Sequence, residues 1–207
     1  MFYTPLVPPR PQRTPSQDIV PEVLAAALDL IATEGPEGLT VRALARRAGV
    51  APMSIYNHFD GKNGVLDAII IDGFTILASF ARTTLSDPRE NLVAGAAAYR
   101  AFALEYRAHY TAMFLHQFVG FTPSPNTVSV AAKGFEILAG QVQRCQERGI
   151  FAGRSYSDVA QQLWAAVHGY VALEILGINF ASDRDAVFHD FIVALVNGLD
   201  TPDTDAN

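Results

Sequence analysis

The chain has 207 residues, of which half are hydrophobic and only 17% are charged, so it suits one large domain or two small ones with a sizeable core. The single cysteine, Cys145, excludes an internal disulfide framework and a metal cage built from cysteines. No apolar run has the length of a membrane span and the N-terminus does not resemble a signal peptide, so we expect a cytoplasmic protein with no membrane partner and no cofactor.

The net charge of −6 is distributed unevenly along the chain. The segment Thr40–Lys62 contains four cations against the single carboxylate of Asp60, which gives it a charge of +3 and leaves −9 for the remainder. A local basic patch on an acidic protein favours one anionic partner at that patch over nonspecific electrostatic binding by the whole surface.

Apolar residues recur at helical spacing along nearly the whole chain, which predicts an all-α protein. Capping residues, prolines and glycines mark the predicted helix ends. In chain order the predicted helices are Asp18–Glu34, Val41–Ala48, Pro52–Phe59, Gly61–Leu85, Pro88–Arg107 with a shorter continuation to Val119, Val128–Arg148, Asp158–Gly177 and Asp183–Leu199. The proline-rich start, residues 1–17, is predicted to be a flexible arm, and residues 201–207 a disordered tail.

Two short helices joined by a tight turn at Gly49 predict a helix-turn-helix. Their apolar positions fit a small core shared with the first and fourth helices. In a DNA-binding unit of this kind, the second short helix enters the major groove with its N-terminal end first. The alternative is an ordinary helical hairpin with a solvated cationic face.

The candidate DNA-contacting residues lie on these two helices and at the start of the next one. They are Thr40, Arg42, Ala51, Pro52, Met53, Ser54, Tyr56, Asn57, His58 and Lys62. We expect Met53 to contact a thymine methyl and Ser54 a base edge or a phosphate, while Arg42 and Lys62 suit backbone phosphates. Arg46 and Arg47 are expected to add to the positive field without touching DNA.

The stretch AAALDLIATEGPEGLTVRALARRAGVAPMSIYNHFDGKNGVLDAI, Ala25–Ile69, resembles the DNA-binding domain of the TetR/AcrR family of transcriptional regulators. The likeness lies in a helix ending in EG, then LTV, LARRAGV and IYNHF with a following lysine. Three positions depart from the family pattern. Ala51 stands where many relatives have a serine helix cap, Asn63 where an acidic residue is common, and Met53 where the residue is usually small. The resemblance implies a homodimer on a palindromic operator, with its two recognition helices about 34–36 Å apart or a multiple of that.

Seven aromatic residues follow one another at spacings of three or four, which predicts a single stripe where the chain is helical. They are Tyr99, Phe102, Tyr106, Tyr110, Phe114, Phe118 and Phe121. Such a stripe is more often packed core than pocket, yet ligand sites between helices are also apolar with a few polar groups.

A second cluster, LWAAVHGYVALE, places Trp164 and His168 on one helix face. His168 fits a hydrogen-bonded core residue as well as a ligand contact. Together with the preceding EYRAHYTAMF, the cluster resembles the WHG type of TetR-like C-terminal domain. The candidate ligand-binding residues are Phe102, Tyr106, Tyr110, Phe114, Phe118, Trp164 and His168.

We therefore predict a helix-turn-helix DNA-binding domain of three helices over residues 18–66 and a helical ligand-binding and dimerisation domain over residues 67–200. The apolar faces of helices 158–177 and 183–199 exceed what a monomer core needs, which predicts a four-helix dimer interface; the resemblance implies the same surface. These faces are formed by Val167, Val171, Ile175, Phe188, Phe191, Ile192, Leu195 and Val196.

The leading functional hypothesis is a repressor that is released from operator DNA by a small, largely apolar effector. One alternative is a DNA-binding activator or architectural regulator with a filled core and no ligand. Another is a metal-dependent enzyme using His109 and His116, but no third ligand presents itself near them in sequence. We expect no metal site, no catalytic residue and no enzymatic activity.

Overall fold

The computed structural model describes residues 19–81 and 85–200, and within these ranges its secondary structure is entirely helical. The helices are α1 (Ile19–Glu34), α2 (Val41–Ala48), α3 (Pro52–Phe59), α4 (Lys62–Phe80), α5 (Pro88–Glu105), α6 (Arg107–Tyr110), α7 (Pro125–Gln146), α8 (Tyr156–Ile175) and α9 (Arg184–Leu199). The all-α prediction is confirmed. The predicted arm, 1–17, and tail, 201–207, lie outside the described residues.

The ends of the helix-turn-helix follow from local chemistry. The Thr40 side chain accepts a hydrogen bond from the Ala43 N–H and so caps α2, which ends at Gly49 in the left-handed conformation, with φ 67°. α3 begins at Pro52 without a side-chain cap, because Ala51 has none to offer, and ends at Asp60, also left-handed with φ 57°. The predicted bounds of both short helices are confirmed.

Several other helix ends differ from the sequence prediction, by up to five residues. α4 ends at Phe80 and α5 at Glu105, both earlier than predicted. The Ser124 hydroxyl accepts a hydrogen bond from the Thr127 N–H, so α7 begins at Pro125 and shortens the predicted loop. α8 starts at Tyr156 because Ser155 is the residue that caps it.

The predicted single stripe of seven aromatic residues is wrong, because the chain from Tyr99 to Phe121 is not one helix. Tyr106 leaves the helical conformation, with φ −109° and ψ 50°, and separates α5 from α6. α6 then runs into a π-helical turn, Thr111–Leu115, whose wider winding is closed by the His116 N–H donating to the Thr111 carbonyl over 3.1 Å. Because of these two irregularities, the aromatic side chains after each of them do not continue the line of those on α5.

The hydrophobic residues form two clusters that share α4. The head cluster is built from α1, α2, α3 and the first half of α4, and it also includes Ala112 and Phe118 from the segment after α6. The larger cluster fills the C-terminal helices α5 to α9, and the second half of α4 packs against it. The predicted division at residues 66 and 67 therefore falls inside a helix that belongs to both.

Helix α4 is long and apolar enough to cross a membrane by length and composition, with a mean hydropathy of 1.5. This corrects the expectation that no apolar run of the chain has the length of a membrane span. It packs against α1 and α3 of the head and against α5 and α7 of the C-terminal half. Asp67 accepts hydrogen bonds from the Ser124 N–H, at 2.9 Å, and from the Thr127 hydroxyl. Asp72 lies 3.0 Å from Nε2 of the buried His109. α4 is thus held to both halves of the chain.

A buried ion pair joins the C-terminal helices. Arg100 on α5 donates through Nε and Nη2 to the two carboxylate oxygens of Glu174 on α8, at 2.7 and 2.8 Å. The Glu174 side chain is only 3% exposed and that of Arg100 is 13% exposed. The third guanidinium nitrogen reaches Asp185 on α9 at 2.7 Å, and the guanidinium lies over the Phe188 ring.

Gly64, in the first turn of α4, allows the backbones of α3 and α4 to meet. A Cβ at this position would overlap the carbonyl oxygen of Phe59, which belongs to the backbone and is not free to move. We expect Gly64→Ala to lower the free energy of unfolding by about 3 kcal/mol, measured by urea titration, because the turn must open. Gly140→Ala is the matched control: no atom lies within 4 Å of its Cβ position, and alanine should stabilise the helix by about 0.5–1 kcal/mol. Equal stability of the two variants would contradict the predicted clash.

Candidate DNA-binding face and ligand cavity

Helix α3 presents an exposed row of side chains and one buried anchor. Ile55 is fully buried in the head cluster and fixes which side of the helix faces out. Met53 and Tyr56 are 66% and 53% exposed, although both are large and partly apolar. Pro52, Asn57 and His58 are also exposed and Ser54 is half-buried, so all six predicted recognition residues on α3 lie outside the head core.

The other predicted DNA-contacting residues flank this row. Thr40 and Arg42 are exposed at the start of α2, and Ala51 is exposed immediately before α3. Lys62 is the first residue of α4, directly after the turn that ends α3, and is half-buried. The Thr40 hydroxyl accepts the capping hydrogen bond of α2, which leaves its O–H free to donate to a phosphate.

Arg47 is tied to the protein instead of contributing a free positive charge. Its guanidinium donates to Asp29 and, at 2.6 Å, to Glu34, both on α1. The expectation that it does not touch DNA agrees with this position, but its field is largely offset by the two carboxylates. The free cations of the patch, Arg42, Arg46 and Lys62, make no ion pair with any residue in 19–81 or 85–200.

Removing the Arg47 side chain should therefore have a small effect on stability. Its ion pairs are partly exposed, with 35–50% of each side chain in solvent, and pairs of this kind contribute about 0–1 kcal/mol. We expect Arg47→Ala to lower the free energy of unfolding by no more than about 1 kcal/mol, measured with urea. Arg46→Ala, which breaks no such pair, should stay within about 0.5 kcal/mol of the parent. A loss of several kcal/mol in Arg47→Ala would contradict this ranking.

A cavity of about 310 Å³ lies inside the C-terminal half, between α4, α5, the π-helical turn, α7, α8 and α9. Its wall is mostly apolar and includes many small residues. The residues that line the cavity are Phe74, Leu77, Ala78, Ala81, Leu92, Gly95, Ala96, Tyr99, Phe114, Ala131, Gly134, Phe135, Ile137, Leu138, Gln141, Gln161, Leu163, Trp164, Val167, Ile192 and Val196. Phe114 and Trp164 are the two predicted ligand residues that this wall contains.

The other five predicted ligand residues do not line this cavity, so their part in ligand binding stays a prediction. Phe102 and Tyr110 are fully buried in the C-terminal core, and Tyr106 stacks on Phe102. Phe118 belongs to the head cluster, because the chain has left the helix at His116 and turned towards α1. His168 lies behind the wall, next to Trp164.

Three side chains form a hydrogen-bonded group behind the cavity. The hydroxyls of Tyr110 and Tyr99 lie 2.7 and 3.2 Å from Nδ1 of His168, and 3.3 Å from each other. Burial raises the pKa of both tyrosines and lowers the pKa of His168, so all three favour their neutral forms. The reading of His168 as a hydrogen-bonded core residue therefore matches its surroundings better than direct ligand contact.

Most of the cavity wall comes from α4, α5 and α7 and was not predicted from the sequence. Gly95 and Ala96 on α5 and Ala131 and Gly134 on α7 leave space between helices where larger residues would fill it. The alanine-rich run after Gly95 was a signal of this space. The polar lining residues Gln141 and Gln161 were missed too, because single glutamines on helices carry no pattern.

The outer faces of α8 and α9 differ from the predicted dimer surface. Five of the eight residues named for it are buried within the subunit against α5: Val167, Val171, Phe188, Ile192 and Val196. They close the C-terminal core because α8 and α9 each turn their apolar side inwards. Exposed apolar residues remain nearby at Leu173, Leu176, Phe180 and Val187, of which Phe180 is 94% exposed.

Two family models match the chain, one on each half. Residues 23–69 match the model of bacterial regulatory proteins of the tetR family. Residues 92–195, half of the chain, match the tetracyclin repressor-like C-terminal domain. The chain belongs to the TetR family. Members of this family are DNA-binding transcriptional regulators and not enzymes, so the predicted function class is confirmed, whereas the narrower WHG type stays a prediction.

Relatives and solved structures agree with this assignment. An HTH-type transcriptional regulator of Mycobacterium tuberculosis is 29% identical over 184 residues, covering 86% of this chain and 80% of its own. The class C tetracycline repressor of Escherichia coli is 37% identical over 91 residues, 41% of this chain and 39% of its own. The TetR-family regulator PfmR of Thermus thermophilus shares the fold, with a TM-score of 0.70 and 19% identity over 86% of this chain and 99% of its own.

The metal hypothesis has no support in the geometry of this TetR-family chain. His109 faces Asp72, and Nε2 of His116 lies 3.5 Å from Glu37, so the two histidines serve different contacts. Over residues 19–81 and 85–200, no three side chains among His, Cys, Asp and Glu gather as a metal site would require.

Proposed function

We propose that this TetR-family regulator is a cytoplasmic homodimeric repressor that binds a palindromic operator and is released by a small, largely apolar ligand. The position of helix α4, between the DNA-binding head and the cavity, is the observation that supports the proposal. Its first residue, Lys62, adjoins the recognition helix α3, and its second half, including Phe74 and Leu77, lines the cavity. A ligand that displaces α4 would therefore also move the DNA-binding head.

The cavity favours this proposal over a regulator with a filled core. A volume of about 310 Å³ with aromatic walls at Phe114 and Trp164 is at the lower end of the range for ligand pockets. Repression is supported by one relative, which is named a tetracycline repressor and resembles this chain over 91 residues. Ligand and DNA binding would be coupled reciprocally, by typically 1–3 kcal/mol.

We place the dimer contact on the outer faces of α8 and α9. Leu173, Leu176 and Val187 are large apolar residues that stay exposed in the single chain, and Phe191 and Leu195 on α9 are only half-buried. Pairing these two helices with their copies in the partner would bury this surface in a four-helix arrangement. The two copies of α3 would then lie about 34–36 Å apart, or a multiple of that, in successive major grooves.

A footprint on the DNA beside the protein's own gene tests the proposal. We expect protection of two symmetric half-sites about one helical turn apart, with two chains per operator by sedimentation. Binding by a single chain, or equal affinity for all sequences, would refute a dimeric operator-binding repressor. In an in vitro transcription assay on the same promoter, stimulation of transcription would favour the activator alternative.

A further inference from the structure

The cavity wall contains no charged side chain among the residues that the structure describes. Its polar members are Tyr99, Gln141, Gln161 and the indole of Trp164. An ion placed here would lose its hydration with no counter-charge in the wall, which is a large penalty in an apolar environment. A neutral ligand pays no such penalty.

Gln141 is the polar residue of this wall that is itself buried. Its side chain belongs to a residue that is 6% exposed, and its amide makes no hydrogen bond to any residue in 19–81 or 85–200. The amide lies against Gly95 of α5, since a Cβ built on that glycine would be 3.1 Å from Oε1 and 3.8 Å from Nε2 of Gln141. Since no fully buried side-chain nitrogen or oxygen is left unpaired in the described ranges, the Gln141 amide must open onto the cavity, where a ligand can reach it.

The remaining polar groups are occupied or solvated. The Tyr99 hydroxyl already contacts Tyr110 and His168 behind the wall, and the Trp164 side chain hydrogen-bonds to Tyr99. Gln161 is exposed and can be solvated by water at the edge of the cavity. Within the described ranges, the Gln141 amide is thus the unpaired polar group of this wall that belongs to a buried residue and is open to a ligand.

We propose that the effector of this regulator is a neutral molecule with an apolar body and a carbonyl or hydroxyl group that hydrogen-bonds to Gln141. The inference rests on the proposed ligand response and adds the chemical class of the ligand and the residue that selects it. The amide can donate to a carbonyl and can both donate to and accept from a hydroxyl. A carboxylate with the same apolar chain is disfavoured, because the wall offers it no cation.

Decan-1-ol and decanoate are a matched pair of probes, since they share the ten-carbon chain and differ in the charge of the head group. Trp164 is the only tryptophan of the chain and lines the cavity, so its fluorescence reports occupation directly. At pH 7 we expect decan-1-ol to change this fluorescence saturably and decanoate to bind at least about 100-fold more weakly. Equal affinity for the two probes, or no response to either, would overturn the proposal.

Substitution at Gln141 tests the assigned hydrogen bond. Gln141→Leu keeps a similar volume but leaves the alcohol hydroxyl without a partner, so the affinity for decan-1-ol should fall about tenfold. Gly95→Ala should weaken binding several-fold by pushing the amide aside. Gln143→Leu is the control and should stay within about twofold of the parent, because this exposed glutamine of α7 does not line the cavity. An unchanged affinity in folded Gln141→Leu, checked by circular dichroism, would remove Gln141 from the site.

The fluorescence assay needs no DNA, so its outcome is separate from that of the proposed function. A protein that binds its operator but not decan-1-ol would overturn this inference and leave operator binding intact. A protein that binds decan-1-ol but has no sequence preference on DNA would overturn the proposed repressor and leave the ligand class standing. Release of operator DNA by decan-1-ol, and not by decanoate, would support both.

Discussion

Replacing Lys62 with alanine is expected to weaken the binding of DNA of any sequence and to reduce its dependence on salt. Lys62 begins α4 immediately after the exposed row of α3, where the phosphates beside a groove-bound helix would lie. A phosphate contact contributes to affinity without reading the bases, so operator and non-operator DNA should lose affinity alike.

The size of the effect follows from the proposed dimer. Each subunit would lose one charge-assisted contact of about 1.5 kcal/mol, so affinity should fall by roughly 3 kcal/mol, or about 100-fold. The slope of the logarithm of the binding constant against the logarithm of salt concentration should become shallower by about 1.8, because each neutralised phosphate contributes about 0.9. Fluorescence anisotropy of labelled operator DNA at several salt concentrations measures both quantities.

The other lysine of the chain supplies the control. Lys133 is exposed on α7, in the C-terminal half, so Lys133→Ala removes the same charge at a distance from the head. It should leave the salt slope unchanged. Should Lys62→Ala fold normally and keep the slope of the parent, Lys62 would not contact phosphate.

Breaking the Arg100–Glu174 pair is expected to cause the largest loss of stability. In Arg100→Met, the Glu174 carboxylate would stay buried without its counter-charge, and such a change typically costs 3–5 kcal/mol. For a chain of this length, the corresponding fall in melting temperature is about 6–20 °C. Urea unfolding followed by circular dichroism measures the loss.

A double substitution separates the cost of the orphaned charge from the worth of the pair. Arg100→Met combined with Glu174→Met replaces both ions with apolar groups and should recover most of the lost stability. Asp185→Asn is the surface control: the Asp185 side chain is 87% exposed, so this change should cost less than about 1 kcal/mol. If the double variant were less stable than Arg100→Met alone, the ion pair would not be the cause.

The sequence allowed the DNA-binding head to be predicted closely because its signals are local. Thr40, Gly49 and Pro52 mark helix ends by their own backbone and capping chemistry, and the structure places all three as expected. The apolar spacing around Ile55 then determines which side chains of α3 face outwards. A short motif with a cap, a turn and a repeat contains most of the information needed to orient it.

The cavity could not be predicted in the same way, because its wall depends on distant elements. Phe74, Gln141 and Trp164 come from three helices, and no local pattern indicates that they meet. The predicted dimer face was also incomplete, since the apolar sides of α8 and α9 are used first by the subunit's own core. Apolar spacing identifies a face to be buried but does not say what buries it.

The π-helical turn has a consequence for comparing this protein with its relatives. A π turn holds one more residue than an α turn, so shortening Thr111–Leu115 by one residue would restore regular winding and swing the Phe114 ring by about 100°. An aromatic residue aligned with Phe114 in another member would then point elsewhere. A sequence alignment alone therefore does not transfer the effector preference of this chain to such a member, because a single inserted residue changes which aromatic ring lines the cavity.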